Sequence, residues 1–278
     1  MSSDSKSKSN VTIWHLDPAR VTAPRCIETL KTWLSEVETE RMVRFHRAKH
    51  QHAFLVSHAL KRAALADVLG LNPAELDFGV GSHGRPYLLG HSRSKVDLQV
   101  QGEQQGLINL QFNLSHTDGM VAIAVSQDAF IGLDVENLNR KIPETAFAAR
   151  FFTPTEHDDI LAHEHTQDSH RLLEYWTLKE AFIKAEGLGI SIGLDTFYFD
   201  LTQAQPNIHF TPEARPPSHP WQFMQIKHSE MHLMALAWAP QIDQTKQPAM
   251  RNLLNNQALY QRVNCDVRAA DSLLNVKC

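Results

Sequence analysis

The chain has 278 residues, 42% hydrophobic and 21% charged, with a formal net charge of −4. That length suits one large domain or two modest ones, each able to bury a core. There is no overall basic excess of the kind a phosphate-backbone binder carries, and no apolar run nears the about 20 residues that cross a bilayer, so neither nucleic acid nor membrane is the expected partner.

Residues 1–10, MSSDSKSKSN, are polar, carry no apolar core of a leader peptide and read as a disordered tail. VTIWHL at Val11–Leu16 reads as a strand, and Glu36–Leu69 as one long helix with a stripe of Phe54, Leu55, His58, Leu65 and Leu69 and a cap at Gly70. Short strands are expected at Leu76–Val80, Pro86–Leu89, Leu107–Phe112 and Met120–Val125, with a polar loop over 90–106. Gln127-Asp128 then predicts a hairpin into FIGLDVE. Thr153-Pro154-Thr155-Glu156 is a capping box with proline at the first helical position, opening a helix towards His163. Ser169 can cap the next helix, which stops at Gly187, and strands follow at Phe197–Leu201, Trp221–Ile226 and Leu233–Trp238. From Gln241 the chain is polar, with one helical-looking piece at Met250–Val263.

An internal echo organises these elements. A long helix ending at Gly70 leads to Leu76-Asp77-Phe78, and a long helix ending at Gly187 leads to Leu194-Asp195-Thr196-Phe197. The expected fold is therefore α+β, two similar lobes at 11–127 and 128–240, with a tail over 241–278 that has no assigned role. Cys26, Cys265 and Cys278 form neither a disulfide framework nor a zinc spacing, which points to the cytoplasm. The histidines cluster at His46, His50, His52, His58 and at His157, His163, His165, His170, but without HExxH they read as solvated helix faces.

Three stretches carry chemistry. In IGLDVEN, alternation puts Ile131, Leu133 and Val135 on one face of a strand and Gly132, Asp134 and Glu136 on the other. Such paired carboxylates need a cation between them or water around them, and a mid-strand glycine marks a bulge or a close approach. In WTLKEAFIKAEG, helical spacing places Trp176, Glu180, Ile183 and Lys184 on or near one face. Glu180 and Lys184 then form either a solvated i,i+4 pair or part of a site, with Glu180 as third oxygen ligand of a Mg²⁺ ion and Lys184 on a phosphate. FNLSHTDG offers Asn, Ser, His and Thr either in a turn suited to an anion or in an ordinary Asx or Ser turn of a hairpin, and SHGRPYL offers Arg85 for a phosphate or a plain turn.

Taken in order, GRPY, FNLSH, IGLDVE and WTLKEAFIK resemble the 4′-phosphopantetheinyl transferases of the broad-specificity, surfactin-synthetase-activating (Sfp) type, over roughly Arg41 to Leu201. The resemblance implies two pseudo-symmetric lobes with coenzyme A in the cleft between them. It implies Mg²⁺, or Mn²⁺, held by Asp134, Glu136 and Glu180, with Lys184 on the diphosphate and Lys179 near it. Ser115 and His116 would bind CoA phosphate, Gly84, Arg85 and Pro86 would line its adenine end, and Arg41 would meet the 3′-phosphate. HQHAFLVSHALKR departs from the pattern, offering His50, Gln51, His52 and Ala53 where relatives often carry arginine.

The implied reaction moves phosphopantetheine from CoA to a serine of an apo acyl or peptidyl carrier, with Glu180 as candidate base and Lys184 stabilising the leaving group. Carrier docking is expected over Asn137–Phe152, through Arg140, Lys141, Phe147 and Arg150, on a monomer. The rivals are another Mg²⁺-dependent phosphoryl enzyme, such as a nucleotide phosphohydrolase, and a non-catalytic CoA- or carrier-binding module.

Overall fold

The alternation of VTIWHL folds into strand β1 (Asn10–Leu16), which turns Trp14 and Leu16 to a helical layer and Val11 and Ile13 to a second sheet. The computed structural model describes residues 10–89, 110–141, 150–163, 170–241, 264–271, 273 and 274. The expected N-terminal tail, the loop over 90–106, the Ser169 cap and the helical piece at 250–263 lie largely or wholly outside them.

Helix α1 (Pro24–Trp33), left unassigned by the sequence reading, starts on a proline and buries Cys26 and Leu30. The single helix expected over Glu36–Leu69 is two, α2 (Glu36–Val43) and α3 (Ala48–Leu69). The reason is electrostatic. Glu38 bonds Lys61 Nζ at 2.8 Å and Arg62 Nε at 2.8 Å, whereas on one straight helix they would stand about 35 Å apart. The chain must fold back, and Arg47 supplies the extended residue at the break.

A small ribbon, β2 (Phe78–Val80) with β3 (Pro86–Leu88), precedes β4 (Gln111–Thr117), β5 (Met120–Ser126) and β6 (Ala129–Asn137). Helices α4 (Pro154–His163) and α5 (Arg171–Glu186) follow. A second ribbon pairs β7 (Phe197–Asp200) with β8 (Asn207–Phe210) and leads to β9 (Gln222–Ser229) and β10 (His232–Pro240). The last strand, β11 (Asn264–Ala269), lies in the tail to which the sequence assigned no strand and no role.

The main sheets are ordered β11-β1-β5-β4 and β6-β10-β9. The sets β1-β5-β4 and β6-β10-β9 repeat one pattern, each with a helical layer on its outer face, so the expected pair of similar lobes is what the chain forms. The sheets meet through Val11, Ile13, Ala122, Ala124, Leu133, Val135, Met234, Leu236 and their neighbours. The hairpin expected at Gln127-Asp128 is a corner instead: β5 pairs with β1 and β4, while β6 pairs with β10. Ser126 and Asp128 secure it, since Ser126 Oγ donates to the Asn10 carbonyl at 2.7 Å and to Asp128 at 2.9 Å.

Candidate active site

The FNLSHT stretch is strand β4, not the turn expected for it; the turn is Asp118-Gly119. Its alternate side chains explain the difference. Asn113 Oδ1, Ser115 Oγ and Thr117 Oγ1 accept the backbone N–H groups of Leu133, Val135 and Asn137 at 3.0, 3.2 and 3.2 Å. β6 is an edge strand, and its otherwise orphaned donors are satisfied by side chains of the other lobe. That stitching fixes the register of the acidic strand against the N-terminal lobe.

Helix α5 crosses the other face of β6 at Gly132. A Cβ there would lie 2.1 Å from the Ala181 carbonyl oxygen and 2.5 Å from the Ala185 nitrogen. The glycine therefore admits the helix backbone itself. This approach delivers the side chains beside Ala181 and Ala185, Glu180 and Lys184, to the carboxylates of β6. Lys184 Nζ bonds Asp134 Oδ1 at 2.6 Å and Ser115 Oγ at 3.0 Å, and Ser115 Oγ donates to Asp134 Oδ1 at 2.9 Å. Trp176, on the same helix face, donates its indole N–H to Glu136 Oε1 at 3.1 Å, and Arg140 Nη1 meets that oxygen at 2.5 Å.

Asp134 and Glu136 are buried, at 5% and 7% exposure, so the solvated acidic edge is ruled out as their setting. Burial and then the Asp134 charge push Glu136 and Glu180 above the usual carboxylate range. For His116, surrounding protein and then Lys184 lower the pKa. Among the described residues, no three His, Cys, Asp or Glu already stand together as a metal cage. The donor set nevertheless fits a hard cation that takes only part of its shell from the protein. Asp134 Oδ2 is buried with no hydrogen-bond partner, and the three carboxylates carry more charge than Lys184 and Arg140 cancel.

The other expected site residues divide. Lys179 must be corrected: it is fully buried on the far side of α5, paired with Glu156 at 2.7 Å and donating to the Leu194 and Phe197 carbonyls at 2.7 and 2.8 Å. It holds the C-terminal lobe together and does not face the carboxylates. Arg85 spans the lobes, donating to the Ala185 and Ile131 carbonyls at 2.8 and 3.2 Å and to Gln111 at 3.3 Å. Gly84, at φ 83, is exposed in the β2–β3 turn beside it, and Pro86 is exposed at the start of β3. Arg41 is exposed on α2, and His116 sits on β4 near Lys184. Of the docking segment, 142–149 lies outside the described residues, Phe147 included; Lys141 is exposed and Arg150 stacks on Phe151.

Sequence reasoning missed the supporting roles of Asn113, Thr117 and Trp176 and the contact from Arg140 to Glu136. A signal was present for the first two: N-x-S-x-T is the period-two pattern of one strand face.

Comparison with known proteins shows the family. Residues 23–128 match the family model described as 4′-phosphopantetheinyl transferase, N-terminal, and residues 130–237 match that of the 4′-phosphopantetheinyl transferase superfamily. A 4′-phosphopantetheinyl transferase of Bacillus subtilis is 33% identical over 165 residues, which is 59% of this chain and 65% of that protein. The 4′-phosphopantetheinyl transferase HetI of a Nostoc species is 31% identical over 180 residues, 65% of this chain and 70% of its own. The 4′-phosphopantetheinyl transferase Sfp of Bacillus subtilis is 28% identical over 176 residues, 63% and 70% of the two chains. With each lobe matched by its own model and the carboxylates gathered where the lobes meet, the chain belongs to the 4′-phosphopantetheinyl transferase superfamily.

Proposed function

We propose that the protein transfers 4′-phosphopantetheine from coenzyme A to a serine hydroxyl of an apo acyl or peptidyl carrier, releasing adenosine 3′,5′-bisphosphate. The observation that carries this reading is the junction of Asp134, Glu136, Glu180 and Lys184 between the lobes of a chain of this family. Asp134, Glu136 and Glu180 would hold Mg²⁺, which when bound supplies charge neutralisation for the diphosphate of CoA.

The chain's own residues account for the rest. Lys184 is held over the site by Asp134 and Ser115, where an ammonium can stabilise charge growing on the leaving phosphate. Glu180, delivered to the site by the close approach of α5 at Gly132, is the base that takes the serine proton, directly or through a water. The serine oxygen then bonds the phosphorus that carries pantetheine, and the bond from that phosphorus to the bridging oxygen breaks. Ser115 positions Asp134 and β6, and this reading also gives it and His116 to the CoA phosphates. Arg41, Gly84, Arg85 and Pro86 go to the nucleotide end. The carrier docks at the turn after β6, near Arg140 and Lys141. A site built from both lobes of one chain supports a monomer, and scattered cysteines support the cytoplasm.

Intact-mass spectrometry of an apo carrier incubated with the protein, CoA and Mg²⁺ tests this. The expected result is a gain of one phosphopantetheine that disappears with EDTA. Asp134→Ala and Glu180→Gln should each slow transfer by about two orders of magnitude or more. Near-normal transfer by either folded variant removes that residue from the mechanism.

A further inference from the structure

We propose that Arg140 is a built-in stand-in for the metal at Glu136, displaced when the metal enters. The inference rests on the reading that Asp134, Glu136 and Glu180 hold a divalent cation, and it concerns what the protein does with those charges beforehand.

The first observation is the contact itself. Arg140 Nη1 and the Trp176 indole N–H converge on one oxygen, Glu136 Oε1, at 2.5 and 3.1 Å. The second is the turn that delivers Arg140. Its N–H bonds the Asn137 carbonyl at 2.9 Å, Asn139 N–H bonds Asn137 Oδ1 at 2.8 Å, and Leu138 N–H bonds the Met231 carbonyl at 2.8 Å. The backbone is thus folded back so that the guanidinium lies over Glu136 although no helix joins them. The third is asymmetry of exposure. The Arg140 side chain is 47% exposed and that of Glu136 is 9% exposed, while Lys184 is 28% exposed and tied to both Asp134 and Ser115.

Charge balance sets the outcome. Three carboxylates face Lys184 and Arg140, an arrangement that leaves one net negative charge. A divalent cation would overshoot to net positive with both side chains in place and would repel each of them. Lys184 is held at two points. Arg140 opens to water and, among the described residues, its side chain is held by Glu136 alone, so Arg140 is the group that yields. A bare metal must therefore displace it unaided. A metal arriving with the CoA diphosphate brings an anion to which the freed guanidinium can turn. Metal and CoA then bind with positive coupling, and Arg140 contributes to it.

Isothermal titration of the metal-free full chain with Mn²⁺, alone and saturated with CoA, tests this without a carrier and hence without turnover. Arg140→Gln should bind Mn²⁺ alone about two- to fivefold more tightly than the unaltered protein, or more, a surface ion pair setting the lower end and the burial of Glu136 raising it. The gain in Mn²⁺ affinity conferred by CoA should shrink correspondingly, and Arg140→Lys should fall between. Thermal midpoints in EDTA verify that the variants fold. Equal or weaker Mn²⁺ binding by Arg140→Gln overturns the inference, because Arg140 would then orient Glu136 rather than compete for it. No Mn²⁺ binding by the unaltered protein, with or without CoA, overturns the metal reading and this inference with it.

Discussion

Helices α3 and α5 are one device used twice, and what separates them is the set of residues proposed to carry the chemistry. Arg62 and Lys179 each lie eight residues before a left-handed glycine cap, Gly70 at φ 66 and Gly187 at φ 71. Each is buried and paired with the glutamate of a capping box, Glu38 in one lobe and Glu156 in the other. Each also donates to carbonyls of the loop ahead, Pro73 and Leu76 or Leu194 and Phe197. The next positions part company. Ala63 and exposed Asp67 stand where α5 has Glu180 and Lys184, and Trp14 and Leu16 fill the helix-facing side of β1 where β6 has Asp134 and Glu136. Structure is carried by the shared positions, and the divergent ones hold the residues proposed for reactivity. Lys179 and Glu180 are neighbours in sequence, yet they fall on opposite sides of that line.

The comparison can be broken by removing what is shared. Lys179→Met leaves the buried Glu156 without its cation and should cost about 3–5 kcal/mol in urea unfolding; Arg62→Met should cost less, because Lys61 still pairs with Glu38. Replacing Lys179 and Glu156 together with apolar residues should cost much less. If Lys179→Met instead spares stability and abolishes transfer, the assignment of Lys179 to structure is wrong. Next comes the helix–strand approach. Gly132→Ala drives a methyl into the α5 backbone and should lose about 1–3 kcal/mol, with transfer falling as Glu180 and Lys184 shift from Asp134.

A smaller effect sits where β1 and β9 meet. Burial and then His228 lower the pKa of His15 from 6.5 to about 4, with the two rings 4.0 Å apart. The unfolded chain therefore takes up this proton first. The stabilising contribution is complete above pH 6.5 and is lost as pH falls towards about 4. His15→Gln should flatten stability against pH across that window. The least effect belongs to Asp67→Lys, which copies the α5 residue onto an exposed α3 position. It should change stability by no more than about 0.5 kcal/mol and leave transfer unchanged.

Much of this was legible in the sequence wherever period and local chemistry agreed. IGLDVEN alternates as a strand must, and the helix-spaced Trp176, Glu180 and Lys184 do share a face. The capping box at Thr153 and the two glycine caps stand where the residues indicated. What the sequence hid was partnership across distance. The break between α2 and α3 is set by Glu38 reaching Lys61 and Arg62, which no local propensity encodes. FNLSHT looks like a turn because Asn, Ser and Thr favour turns, and only β6 beside it makes them acceptors for a strand edge. Lys179 passes for a cleft residue because KE reads as a unit, whereas consecutive helical residues point about 100° apart.

Strand β11 lies parallel to β1, pairing Asn10 with Asn264, and Ala270 and Leu274 join the N-terminal core while Cys26 Sγ bonds the Leu274 carbonyl at 3.4 Å. Its consequence is one of timing and indivisibility. The first lobe to be synthesised lacks its outermost strand until the second has been made, so contacts of very long sequence separation complete it last. Two halves that look like a tandem repeat are thereby tied into one cooperative unit. A cut near Gln127 should yield a first half with an open sheet edge, unable to stand alone as the repeat would suggest.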